Sequence, residues 1–65
     1  MKEFYLVRIT DSWNDIVVIA NQQFATYEDA KQYLTTHYDD LEEMNEWEWN
    51  DGHDLYEIIR CKEVR

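Results

Sequence analysis

A chain of 65 residues with a single cysteine, Cys61, makes one small domain and excludes an internal disulfide. Fifteen Asp and Glu against six Lys and Arg give a net charge of −9. That balance disfavours direct contact with nucleic acid or an anionic membrane and favours a basic partner. Three Trp, five Tyr and two Phe argue against an acidic disordered tail, because rings burying roughly 150–250 Å² each supply much of a small core. The start, Met1-Lys2-Glu3-Phe4, carries no secretory apolar run, and the longest apolar stretch, Ile16 to Ala20, is too short to span a bilayer. With a lone thiol, the expected location is the cytoplasm, the host cell's if the protein is phage-encoded.

In chain order, Phe4 to Thr10 is rich in aromatic and β-branched residues and predicts a strand. Asp11-Ser12-Trp13-Asn14-Asp15 is turn chemistry, and Ile16 to Ala20 predicts a second strand, closing a hairpin. Thr26 is placed to cap a helix by accepting from the backbone N–H of Asp29, with Glu28 and Asp29 at the positive end of the dipole. Ala30, Tyr33, Leu34, His37 and Leu41 recur at spacings of three and four. They predict a helix over 27–38, with 39–45 open to either helix or loop. Glu46-Trp47-Glu48-Trp49 alternates with period two, Asp51-Gly52 is a hairpin-turn signal, and Leu55 to Val64 predicts the last strand. A type I′ turn at Asp51-Gly52 pairs Trp49 with Asp54, Glu48 with Leu55, Trp47 with Tyr56 and Glu46 with Glu57. Trp47, Trp49, Tyr56 and Ile58 then share a core face. The expected fold is one acidic α+β domain over 1–65: an antiparallel sheet in β-β-α-β-β order with one helix packed on one face.

The acids are not spread evenly. Asp39, Asp40, Glu42, Glu43, Glu46, Glu48, Asp51 and Asp54 place eight of fifteen acids in sixteen residues that hold no Lys or Arg. Like charges gathered this way repel one another, whereas a solubilising surface intersperses both signs. Glu46 and Glu48 on one strand face would stand about 6.6 Å apart. Asp39 with Glu42 and Glu43 on a helix would stand about 5–6 Å apart. Both separations resemble those of successive phosphates, so the expected partner is a basic nucleic-acid-binding protein whose arginines pair with carboxylates. Trp13 and Tyr38 are the candidate ring anchors beside them.

Other chemistry finds little footing. Asp39 to Glu43 lacks the alternate acids and the sixth-position glycine of a calcium loop, where Met44 stands instead. Zinc would need Cys61, His37 and His53 gathered without paired spacing. A Cys61–histidine pair lacks any signature of a nucleophile, one glycine cannot build a phosphate loop, and no cofactor is implied. The expectation is therefore a non-enzymatic binder. Its class is that of small phage or mobile-element inhibitors that mimic DNA, which block CRISPR effectors, restriction enzymes or uracil-DNA glycosylase. The alternative is a protein–protein interaction module or homodimeric accessory protein with exposed aromatics.

Overall fold

The computed structural model describes residues 2–63. Five strands and one helix follow in the order β1 (Lys2–Asp11), β2 (Ile16–Ile19), α1 (Tyr27–His37), β3 (Glu42–Asn45), β4 (Glu48–Asn50) and β5 (Asp54–Glu63). The fold is α+β, as the order of sequence patterns predicts, with one strand more than the patterns reveal. All pairings are antiparallel, and the sheet runs β2-β1-β5-β4-β3. The two ten-residue strands β1 and β5 form its spine, paired from Lys2–Glu63 to Asp11–Asp54. Val64, expected to close the last strand, lies outside the described residues.

Strand alternation decides which face is buried. Val7 on β1, Tyr56 and Ile58 on β5 and Trp49 on β4 point to the side where α1 lies, and all are buried. Ala30 and Leu34 meet them from the helix, and Phe24 joins through a bridge to Tyr5. The helix begins where Thr26 caps it, with the hydroxyl oxygen accepting from the Asp29 N–H at 3.1 Å. It ends at Tyr38, whose extended backbone donates to the Leu34 carbonyl at 3.0 Å. Asp40, at φ 58°, then turns the chain into β3, a left-handed conformation that Asp tolerates better than most residues. Residues 39–45 are thus neither helix nor plain loop: they turn, then add an edge strand.

The final hairpin departs from the expected register. Glu48 pairs with Glu57, Trp49 with Tyr56 and Asn50 with Leu55. Relative to the two-residue turn this is a slip of two, and a slip of two leaves every side chain on its expected face. Asp51-Gly52 is not a type I′ turn, because only Gly52 has positive φ, at 89°. The Asp51 carboxylate organises a longer loop instead, accepting from the N–H groups of His53 and Asp54 at 2.9 and 2.7 Å. Glu46 and Trp47 are not strand residues but the turn joining β3 to β4. Trp47 stays half-buried against the core, its carbonyl accepting from the Ile58 N–H at 2.9 Å.

The second face of the sheet carries no helix. Phe4, Leu6, Leu55, Ile59 and Cys61 lie there half-buried. At its centre the Arg8 guanidinium forks onto Glu57, with Nε to Oε1 at 3.0 Å and Nη2 to Oε2 at 2.9 Å. Glu48 stands directly opposite Glu57 in the next strand, an arrangement that repels without a cation nearby. Arg8 supplies one, and its guanidinium is held charged first by the Glu57 hydrogen bonds and then by the Glu57 and Glu48 charges.

Candidate functional site

The acids of 39–54 divide into two groups. Asp39 and Asp40 lie in the bend after α1, Glu42 and Glu43 on β3, and Glu46 in the β3–β4 turn; all five are exposed. Their carboxylates have no cationic or hydrogen-bonding partner among the described residues. The other three are engaged. Glu48 accepts from Asn45 Nδ2 at 2.7 Å and lies beside the Arg8–Glu57 pair. Asp51 holds its loop and accepts from the Tyr56 hydroxyl at 2.9 Å. Asp54 lies 3.0 Å from His53 Nδ1.

Local packing fixes the free group. Asn45 accepts from the Trp47 N–H at 2.8 Å and donates to Glu48, which rigidifies the turn carrying Glu46. The Tyr27 hydroxyl donates to the Glu46 carbonyl, and the Tyr27 and Trp47 rings meet edge-on at 5.0 Å. Burial, then the charges of Glu46 and Glu43, push the Tyr27 hydroxyl pKa up, so it stays a donor. The start of the helix thus pins the acidic edge to the body of the domain.

The spacing anticipated for these acids is not the one found. Glu46 and Glu48 do not share a strand face, because Glu46 sits in a turn. Asp39, Glu42 and Glu43 do not share a helix face, because the helix ends at His37. Glu42 and Glu43 project from opposite faces of β3, opposite Asn50 and Trp49 respectively. What remains is a rim of carboxylates around one sheet edge.

Of the ring anchors, Trp13 is 80% exposed at the tip of the β1–β2 turn. Asp11 shapes that turn by accepting from the N–H groups of Trp13 and Asn14 at 2.9 and 3.2 Å and from Asn14 Nδ2 at 2.9 Å. The Asn14 side-chain bond is the main reason its carboxyl pKa is held low. Tyr38 is half-buried, its ring 4.8 Å from that of Tyr56, and burial raises its pKa.

His37, His53 and Cys61 are not brought together. His37 stacks on Tyr33 at 4.2 Å and Cys61 lies in β5. His53 instead meets Asp11 and Asp54, a grouping the sequence reading missed. Its Nε2 is 3.3 Å from Asp11 Oδ1 and its Nδ1 is 3.0 Å from Asp54 Oδ1, with Trp13 edge-on at 4.4 Å. His53 Nε2 and Asp54 Oδ1 are enclosed without a well-directed hydrogen bond. Asp11 already accepts three hydrogen bonds from Trp13 and Asn14.

Strand β2 lies where the sequence predicts it, and the second feature missed is its exposure. Ile16, Val17, Val18 and Ile19 are each more than half exposed. The signal was present as the longest apolar run in the chain, but such a run ordinarily marks a strand buried on both faces.

A scan against protein-family models finds no match to this chain, and neither do searches of curated proteins and of solved structures. Among the described residues no helix is long and apolar enough to cross a membrane.

Proposed function

We propose that this protein is a small acidic inhibitor that offers carboxylates in place of phosphates to a basic nucleic-acid-binding groove. The owner of the groove would be a defence or DNA-processing protein, of the kind that anti-CRISPR, anti-restriction and glycosylase-inhibitor proteins block. One observation carries the reading: Asp39, Asp40, Glu42, Glu43 and Glu46 are exposed at one end of the sheet, with no cation beside them among the described residues. Holding them together costs electrostatic repulsion that a Lys- and Arg-lined groove would relieve. Arginine pairs bidentately with each carboxylate, and a rim usable from both faces of β3 suits a groove that closes around an edge. The reading is non-catalytic and needs no cofactor.

The test is capture from a bacterial host lysate on the immobilised protein, beside the variant E42Q/E43Q/E46Q. These three side chains make no contact that the fold uses, so the circular dichroism of the variant should match the wild type. The expected catch is a nucleic-acid-handling protein released as salt rises and lost from the variant. A catch that survives high salt, or that the variant retains, would overturn the reading. The second reading, an interaction module, is favoured by Trp13 and the exposed β2 strand, neither of which the phosphate mimic uses.

A further inference from the structure

Strand β2 is anomalous on physical grounds. Four consecutive aliphatic side chains, Ile16 51%, Val17 56%, Val18 53% and Ile19 53% exposed, lie on the sheet's outer edge. Native edge strands are normally blunted by charge, proline, a bulge or a covering element. The opposite edge, β3, follows that rule with two glutamates and a register shift between Glu43 and Asn45. Strand β2 has none of these devices, and α1 packs over β1 and β5 rather than over it.

The ladder shows which backbone groups are left over. Ala20 donates to the Val7 carbonyl at 2.9 Å, and Ile9–Val18 and Asp11–Ile16 continue the β1–β2 register. Hydrogen-bonded pairs alternate in an antiparallel ladder. Ile16 and Val18 therefore turn their N–H and C=O groups toward β1, as Ala20 does its N–H, while Val17 and Ile19 turn theirs outward; the Ala20 carbonyl accepts instead from the Gln22 N–H at 2.8 Å.

We propose that β2 pairs with β2 of a second copy of this chain, antiparallel across a two-fold axis, to form one continuous ten-stranded sheet. Outward groups must meet outward groups, which sets Val17 against Ile19 of the second copy and Val18 against its own counterpart on the axis. This register uses all four outward groups on each copy and gives every aliphatic side chain an apolar cross-strand neighbour. Beyond it the chain leaves the strand on both sides, at Asp15 with φ 57° and at the bend of Asn21. Charge restricts where two copies can meet. Two chains of net charge −9 repel wherever acids face one another, and 16–20 is the longest stretch that carries no charge and is apolar throughout. An isologous contact needs a surface that complements itself, and this strand does so where the acidic edge cannot.

The inference rests on no part of the phosphate-mimic reading, and the two respond to salt with opposite sign. Screening weakens attraction to a basic groove but relieves repulsion between two acidic copies. The dimer should therefore tighten as salt rises. It also places the two β3 edges at the far ends of the sheet, nine strand spacings or about 43 Å apart, each open to its own partner.

Analytical ultracentrifugation with amide exchange tests the proposal on the full chain. At millimolar concentration and high salt the wild type should run at twice 8.0 kDa and dissociate on dilution. The Val17 and Ile19 amides should be protected only in the concentrated sample. Val17→Pro removes an N–H that β1 does not use, and Val17→Lys keeps the backbone while adding a charge. Both should be monomeric under the same conditions, with Val17→Lys deciding the matter if the proline variant fails to fold. A wild type that stays monomeric at millimolar concentration and high salt would overturn the inference. So would a dimer that persists in folded Val17→Lys, or one whose Val17 and Ile19 amides exchange freely.

Discussion

The two edges of this sheet solve one problem in opposite ways. Strand β3 exposes Glu42 and Glu43 beside Met44 and is flanked by Asp39, Asp40 and Glu46, so a second acidic sheet approaching it meets like charge. Strand β2 exposes two isoleucines and two valines and repels nothing. The acids draw opposite charge from a distance and lose force as salt screens them. The aliphatic edge acts only at contact, with a grip that salt does not weaken. A small domain with both can take a basic partner on one side and an apolar strand on the other without either surface competing for the same residues.

Breaking the anchor of the acidic edge should have the largest effect. Trp49 is 4% exposed and joins β3 and β4 to the core beside Tyr56. Trp49→Ala should cost about 3–5 kcal/mol, a large share of the stability of so small a domain. Thermal melting reads the loss, and Trp49→Phe serves as the milder variant if the alanine form does not fold. In Trp49→Phe, amide exchange should rise over 42–50 and stay near the wild type at Val18, whose ladder to β1 does not pass through the tryptophan. Equal loosening of both edges would show that they are not independent.

A smaller effect separates the acids that hold structure from those left free. The Asp51 carboxyl is held below the usual range, first by the Asp54 N–H, then by the His53 N–H and the Tyr56 hydroxyl. A lowered folded-state pKa favours the ionised form, so the contribution is present above about pH 4 and fades as pH falls through the folded value. The Tyr56 hydroxyl is pushed the other way, by burial first and by Asp51 second. Its contribution is present below about pH 10 and is lost as pH rises further. Asp51→Asn should cost about 1 kcal/mol, the discount reflecting its exposure, and should flatten the acid limb of a stability–pH curve. Tyr56→Phe should flatten the alkaline limb. Glu42→Gln, at a carboxylate without a partner among the described residues, should leave the melting temperature near that of the wild type, and an equal loss in Asp51→Asn and Glu42→Gln would erase the division between them.

The same division explains what the sequence made legible. The Thr26 cap and the Ala30–Leu34 stripe were readable because each depends on neighbours within one turn. The faces of β4 and β5 were readable because a period of two survives a slip of two residues. Strand β3 was not, since Glu-Glu-Met-Asn has no apolar alternation and pairs only because β4 offers it an edge. The acid cluster was visible as composition, but its geometry depended on whether 39–46 was helix, strand or turn. Asp40 and Asn45 settle that through a left-handed bend and a side-chain hydrogen bond, neither of which leaves a periodic trace. The exposure of β2 was hidden for the converse reason: the sequence of a strand buried on both faces also describes a strand whose cover comes from another chain.

Residue-resolved NMR titration with a short arginine-rich peptide, at low and at high salt, tests the central claim most directly. The account predicts shifts concentrated at Asp39, Asp40, Glu42, Glu43 and Glu46, lost at high salt, with Val17 and Ile19 unmoved by the peptide. Shifts centred instead on Trp13 and β2, or shifts that high salt leaves in place, would contradict it.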